Sequence, residues 1–349
     1  MAPMAGRASG ARAGATLVTG GAGYIGSHTV LALRQAGRRV VVLDDLSTGS
    51  RAVVPRDVAF IQGDAGDAAL VTALIAGFGI DSVIHFAGSI LVEQSVSEPL
   101  RYYGNNVAVS RNLLEACTRA GVGRFIFSST AAVYGAPDQV PIPERAPTRP
   151  INPYGSSKLV TEWMLRDLAH ATGLRYVALR YFNVAGADPQ GRSGQLGPVA
   201  THLIKIASQV VAGLRESIAI FGADYDTPDG TCVRDYVHVS DLAAAHLAAL
   251  DYLEAGGESC SLNCGYGHGY SVREVLDAVE RCTGRPLNPC AAPRRPGDPP
   301  ILVADVSALR RTLDWSPRYD NLDVIITTAV EWEKSVAAPV QEGFDRARA

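Results

Sequence analysis

The sequence predicts an α/β protein: a doubly wound parallel sheet followed by a smaller C-terminal α/β lobe. Three observations predict it. Six short apolar runs recur along the first half of the chain, helical stretches lie between them, and a glycine-rich turn follows the first run. Apolar runs without polar alternation suit strands buried on both faces, as in a parallel sheet covered by helices.

In order, ATLVTG (15–20) is the first strand, and the turn after it opens a helix through HTVLALRQAG. RRVVVLDDL (38–46) is the second strand and ends in acids; VAFIQGD (58–64) is the third and DSVIHFAG (81–88) the fourth. GRFIFSST (123–130) is the fifth and YVALRYFN (176–183) the sixth. SRNLLEACTRAG and KLVTEWMLRDLAHATG are helices, and their final glycines suit helix ends. In such a sheet, ligands sit at the carboxyl ends of the strands. After Asn183 the texture loosens, through VAGADPQGRSGQLGPVA, GADYDTPDGT and the proline-rich PCAAPRRPGDPP. The organisation read from this is a tail over 1–14, a nucleotide-binding domain over 15–184, a less regular lobe over 185–335 and a tail over 336–349. Some segments of the second lobe are expected to return to the first sheet.

Composition narrows the function. The 349 residues are 47% hydrophobic, enough for a large core, and the net charge is −3. Phosphate tracking along nucleic acid needs clustered Lys and Arg, which are absent. No run of eighteen apolar residues suggests a membrane helix, and the first fourteen residues lack the apolar stretch of a signal peptide. Six cysteines without a CxxC pair read as reduced thiols of a cytoplasmic protein, and no metal-ligand pattern stands out.

The first turn reads TGGAGYIG, with Gly20, Gly23 and Gly26 spaced by three. Glycines there let the backbone approach a pyrophosphate, and the following helix N-terminus offers free N–H groups and a positive dipole. Asp44, at the end of the second strand, follows Gly26 by eighteen residues. A carboxylate there accepts from ribose hydroxyls and repels a 2′-phosphate, so NAD is favoured over NADP in a Rossmann site. Asp64, after the third strand, suits either the adenine amino group or a helix N-cap.

The stretch NPYGSSK places Tyr154 and Lys158 four apart at a helix start marked by Pro153. Residues four apart share a helix face. A phenol titrates near ~10 in water, too high for a base at neutral pH. The Lys158 ammonium is expected to lower it, making Tyr154 a general base. Ser128, Ser129 and Thr130 end the fifth strand and bring hydroxyls to the same cleft, with Thr130 completing the set.

With TGGAGYIGSH, DDLSTG, HFAG, YYGNNV, FIFSSTAAVYG, NPYGSSK, RYFNVAGADP, THLI, RDYVHVSDLA and RRPGDPP, the chain resembles the extended short-chain dehydrogenase/reductase family over about Ala15 to Trp332. Within that family it is similar to the UDP-glucose (UDP-galactose) 4-epimerases. The resemblance implies inversion of C4 of a UDP-hexose through a transient 4-keto sugar, with NAD regenerated each cycle, and a homodimer. It implies Tyr154 as base with Lys158 and Thr130 as partners, and Gly20, Tyr24, Ile25, Asp44, Asp64, Phe86, Asn105 and Ser128 lining the NAD site. Asn183, His202, Leu203, Arg234, Arg295 and Asp298 would hold the nucleotide sugar, since guanidinium groups suit a diphosphate. Arg234 also has Asp235 beside it as a structural partner, and Arg295 and Asp298 also suit a solvated turn.

The sequence departs from the family pattern in places. Ile90 stands where many relatives carry a lysine that reaches the cofactor phosphates, which weakens the expected hold on NAD. His202 replaces an asparagine of some relatives. Leu302 occupies the position that sorts plain from N-acetylated sugars, and its size is intermediate. Three rivals share the fold: a UDP-pentose (UDP-xylose/UDP-arabinose) epimerase, which the motifs leave open; a nucleotide-sugar dehydratase; and a non-catalytic NAD-sensing protein. Ala131 and Ala132 follow Thr130 where a dehydratase carries an Asp-Glu pair, and the Tyr–Lys pair argues against a sensor.

Overall fold

The computed structural model describes residues 14–196, 201–295 and 297–348. The expected N-terminal tail, except Gly14, lies outside the described residues. The first six strands are β1 (Ala15–Thr19), β2 (Val40–Asp44), β3 (Ala59–Gln62), β4 (Ile80–His85), β5 (Arg124–Thr130) and β6 (Arg175–Tyr181). A seventh, β7 (Cys260–Cys264), completes a sheet ordered β7-β6-β5-β4-β1-β2-β3, parallel throughout. The order reverses between β1 and β4, which opens a crevice at the carboxyl ends of these two strands.

The period of two along each strand divides its apolar residues between two cores. Val18, Val42, Ile84 and Ile126 pack in one, and Leu17, Leu43, Val83 and Phe125 pack in the other. This is why the runs read as continuously apolar. Helices cover both faces: α1 (Tyr24–Gln35), α2 (Ala68–Phe78), α3 (Val109–Arg119), α4 (Pro153–Ala171), α5 (Leu203–Val211), α6 (Val239–Glu254), α7 (Val272–Thr283) and α8 (Leu322–Arg348). Asp67, not Asp64, caps α2, accepting from the Ala69 and Leu70 N–H groups. α4 starts where Pro153 fixes the first turn and the Asn152 side chain accepts from Gly155 N at 2.8 Å.

α6 packs on α1, β5 and β6, and β7 pairs with β6, so residues 239–264 belong to the large sheet. The remaining C-terminal strands are short pairings, such as Val233–Arg234 between Tyr270–Ser271 and Ile301–Leu302. The stretch 336–349, set aside as a tail, continues α8 as far as Arg348.

Candidate active site

Gly20 ends β1 with φ of 70°, and a Cβ there would lie 2.6 Å from Ala87 N. A Cβ on Gly26 would collide with the Gly20 carbonyl. The turn is thus pressed against the end of β4, closed by Gly23 N donating to Gly20 O at 3.1 Å. Gly23 caps α1 without a side chain, leaving the first-turn N–H groups of Tyr24 and Ile25 for an anion. The Tyr24 hydroxyl turns the other way and donates to Gly186 O at 2.6 Å, tying α1 to the second lobe.

Asp44 is buried at the tip of β2. Its Oδ2 accepts from Ala22 N at 2.8 Å and its Oδ1 from Leu46 N at 2.9 Å. Burial raises its pKa above the ordinary carboxylate value and the two N–H groups draw it back. Each oxygen keeps a further lone pair for a ribose hydroxyl. Asp64 Oδ1 accepts from Gly66 N at 2.7 Å in a local turn. Phe86 stacks near His246, with ring centroids 4.8 Å apart.

Thr130, Tyr154 and Lys158 converge where β5 meets α4. Tyr154 is 9% exposed and Lys158 3%. Lys158 Nζ donates to Ser128 O at 2.9 Å and lies 5.0 Å from the centre of the Phe127 ring. Burial pushes its pKa down to about 8. Burial also pushes the Tyr154 phenol up to about 12, and the Thr130 hydroxyl draws it back. The expected lowering by Lys158 is therefore not what the protein alone displays, because burial of the phenol dominates. The Ser128 hydroxyl is bonded to the Tyr181 hydroxyl. Gly88, in the loop after β4, would place a Cβ 3.8 Å from Lys158 Nζ, so the end of β4 lies between the glycine turn and the Tyr–Lys pair.

The expected sugar-nucleotide residues fall into two groups. Asn183, His202 and Leu203 line one cavity with Tyr24, Gly186 and Tyr236. His202 is half-buried, and desolvation lowers its pKa; its Nδ1 lies 3.2 Å from Gln195 Nε2. In the second group Arg234 bonds Asp298 at 2.5 Å, with Leu302 opposite Arg234 in the strand register. Asp235 is not the partner of Arg234; its carboxylate accepts from Tyr266, Gly267 and Ala304 N–H groups. Arg295 lies over the Phe221 ring at 4.1 Å, with its Nε 3.5 Å from Glu93. Leu302 is half-buried against the cluster that contains Ala131 and Phe182.

Residues 16–265 match the model of the NAD dependent epimerase/dehydratase family. The chain belongs to that family. A UDP-glucose 4-epimerase of Azospirillum brasilense is 58% identical over 324 residues, covering 93% of both chains. The crystal structure of UDP-glucose 4-epimerase from Brucella ovis in complex with NAD is 45% identical, with a TM-score of 0.90 over 92% of this chain and 99% of that one. The Bifidobacterium longum enzyme in complex with NAD+ and UDP is 39% identical, with a TM-score of 0.87 over 92% and 98%.

The NAD the family description names fits the observed groups: a turn that a Cβ would fill, uncapped N–H donors at α1 and an acceptor carboxylate at β2. Sequence reasoning selected Asn105 from the family motif YYGNNV. Asn105 Nδ2 donates to Ser89 Oγ at 3.0 Å, but the buried neighbour Asn106 holds the loop more fully. Asn106 accepts from Ser89 N at 2.7 Å and donates to Ser157 Oγ at 2.9 Å. Residues Tyr103–Ala108 form a π-helical turn, a feature frequent at functional sites, and ordinary 3.6-residue spacing does not reveal it. Phe221, 37% exposed beneath Arg295, offers a flat face for a base and was also missed.

Proposed function

We propose that the protein interconverts UDP-glucose and UDP-galactose by inverting C4 through a transient 4-keto sugar. The observation that carries this reading is the convergence of Thr130, Tyr154 and Lys158 at the crevice beside the Gly20–Gly26 turn. When bound, NAD supplies the acceptor and donor of the C4 hydride. The turn, the α1 N-terminus and Asp44 hold it, with Asp64, Phe86, Asn105 and Ser128 along its length. Tyr154 accepts the proton of the 4-hydroxyl and returns it. Thr130 hydrogen-bonds the phenol and orients it, while Lys158 keeps a positive charge one turn away.

Arg234 and Arg295 meet the diphosphate, Asp298 holds Arg234 in place, and Asn183, His202 and Leu203 line the sugar-nucleotide side. Leu302 sets the room around C2. Ala131 and Ala132 open the 3₁₀ turn after Thr130 and carry no titratable group, which disfavours dehydration. The two-lobe division, with the nucleotide sugar held mainly by 185–335, is part of the same reading.

A homodimer in the cytoplasm completes it. Val96, Leu100 and Tyr103 are exposed on the segment that packs against α4, and Trp163 is exposed on α4 itself. Such apolar exposure suits a partner copy. No described helix is long and apolar enough to cross a membrane. The test is to incubate the purified protein with UDP-galactose, without and with added NAD. Formation of UDP-glucose supports the reading; absence of any C4 epimer in both mixtures refutes it.

A further inference from the structure

Three consecutive residues of β5 meet three residues of α4 spaced one turn apart. Ser128 O accepts from Lys158 Nζ at 2.9 Å, Ser129 Oγ donates to Glu162 Oε1 at 2.5 Å, and the Thr130 hydroxyl neighbours the Tyr154 phenol. Tyr154, Lys158 and Glu162 recur every four residues, so they run along one stripe of the helix. Two members of the stripe belong to the reacting site. The third, two turns from Tyr154, does not touch it.

Glu162 is instead the centre of a buried network. Its Oε2 accepts from Arg180 Nη2 at 2.6 Å and its Oε1 from Arg180 Nε at 2.9 Å. Arg180 Nη1 donates to the Tyr134 hydroxyl at 2.9 Å, and Tyr134 donates to Asn263 Oδ1 at 2.7 Å. Asn263 Nδ2 in turn donates to Ile142 O at 2.7 Å. The network joins α4, the tip of β5, β6, the turn after Thr130 and β7. Its side chains are 5% exposed for Glu162 and 9% for Arg180.

Burying such a pair is costly, and well-packed apolar groups often stabilise a fold as well or better. What an arginine–carboxylate fork provides is a fixed orientation, because the planar guanidinium holds both oxygens. Here the fixed carboxylate grips the residue immediately before Thr130. A shift of α4 along β5 would break all three contacts together.

We propose that Glu162, held by Arg180, is a positioning residue for the epimerisation: it sets the register of α4 against β5 in which Tyr154 meets Thr130 and Lys158 meets the Ser128 carbonyl. This rests on the reading of Tyr154 as the base. The experiment compares Ser129→Ala, Glu162→Gln and Tyr154→Phe with the parent enzyme, all loaded with NAD and assayed with UDP-galactose. Ser129→Ala and Glu162→Gln are expected to lower kcat by roughly 10-fold to 10²-fold with KM within about twofold, the scale of a small misplacement of a reacting group. The limb of the kcat–pH profile that reports the base should move to higher pH, because the Thr130 hydroxyl that draws the phenol down is carried away from it.

Glu162→Gln also leaves the Arg180 cation without its counter-ion. Ser129→Ala keeps the ion pair intact and decides the matter if Glu162→Gln does not fold. Parent values of kcat and an unmoved pH limb in Ser129→Ala overturn the proposal. So does a Glu162→Gln enzyme whose only change is a lower Tm. Parent turnover in Tyr154→Phe would defeat the base assignment itself. Loss of turnover in Tyr154→Phe, with both other profiles unmoved, would defeat only the positioning role.

Discussion

Replacing Tyr154 with Phe removes one hydroxyl from a ring that is 9% exposed. The ring volume stays, so no cavity forms. The hydroxyl of Thr130 is not orphaned, because it also accepts from Ala132 N at 3.1 Å. The stability cost is then at most that of one hydrogen bond, about 0.5–1.5 kcal/mol. At that scale Tm should fall by only a few degrees, roughly 2–4 °C per kcal/mol for chains of a few hundred residues. Catalysis has more to lose, because the phenol is the group placed to take the 4-hydroxyl proton. Its removal should cut kcat by about 10²–10⁴-fold, the usual share of general acid–base catalysis. The assay follows UDP-glucose formed from UDP-galactose, with the NAD content of each preparation measured after denaturation. Turnover within about tenfold of the parent, at equal NAD content, would be too small a loss for a general base and would refute the assignment.

Other consequences can be measured directly. NAD, not NADP, should be the nucleotide released on denaturation, as the role proposed for Asp44 requires, since a carboxylate repels a 2′-phosphate; NADP as the main nucleotide refutes that role. Ile90 is 55% exposed in the loop beside the turn, and Ile90→Lys should slow NAD loss during dialysis, whereas an unchanged rate would show that position 90 does not reach the cofactor. Leu302→Ser should raise kcat/KM for UDP-N-acetylgalactosamine relative to UDP-galactose by roughly tenfold, and Leu302→Tyr should lower it, the scale of a small steric change in a pocket; a constant ratio would place Leu302 outside the sugar pocket. Acid should destabilise the fold: burial lowers His28 and His246 from 6.5 to about 4 and His85 and His238 to about 3. Below 6.5 the unfolded chain takes up protons that these folded imidazoles refuse, so stability is highest above 6.5 and drops toward pH 4, by up to about 1.4 kcal/mol per pH unit for each histidine. A Tm independent of pH across that window would contradict it.

The sheet was legible because its first six strands are rich in apolar residues and alternate with helical stretches. β7 was not, because CSLNC carries a buried asparagine whose polarity masks the strand. That polarity is satisfied only in three dimensions, by Tyr134 and the Ile142 carbonyl. The same reason hides Arg180 and Glu162, which read as ordinary charges in a strand and a helix until β5 and α4 are brought together. Asp44 was legible because a strand end fixes its direction. The partner of Arg234 was not legible: Asp235 is its sequence neighbour, yet period two sends the two side chains to opposite faces. Asp298, distant in sequence, meets it instead.

The state of the base shows why geometry matters more here than the bare presence of a lysine. Burial acts on both groups by disfavouring their charged forms, so it lifts Tyr154 to about 12 and lowers Lys158 to about 8. A lysine one turn away would ordinarily assist the phenolate, but here burial outweighs it, and one of the ammonium's donors goes to the Ser128 carbonyl. In the protein alone the group that draws the phenol pKa down is Thr130. The pull of a neighbouring hydroxyl is far more sensitive to displacement than that of a charge acting over several ångströms, since hydrogen-bonding interactions weaken steeply with distance and angle. The strength of the base is therefore set by how well the tip of β5 is registered against α4. The side chain that fixes this register from behind is Glu162, and it does so through the residue adjoining Thr130.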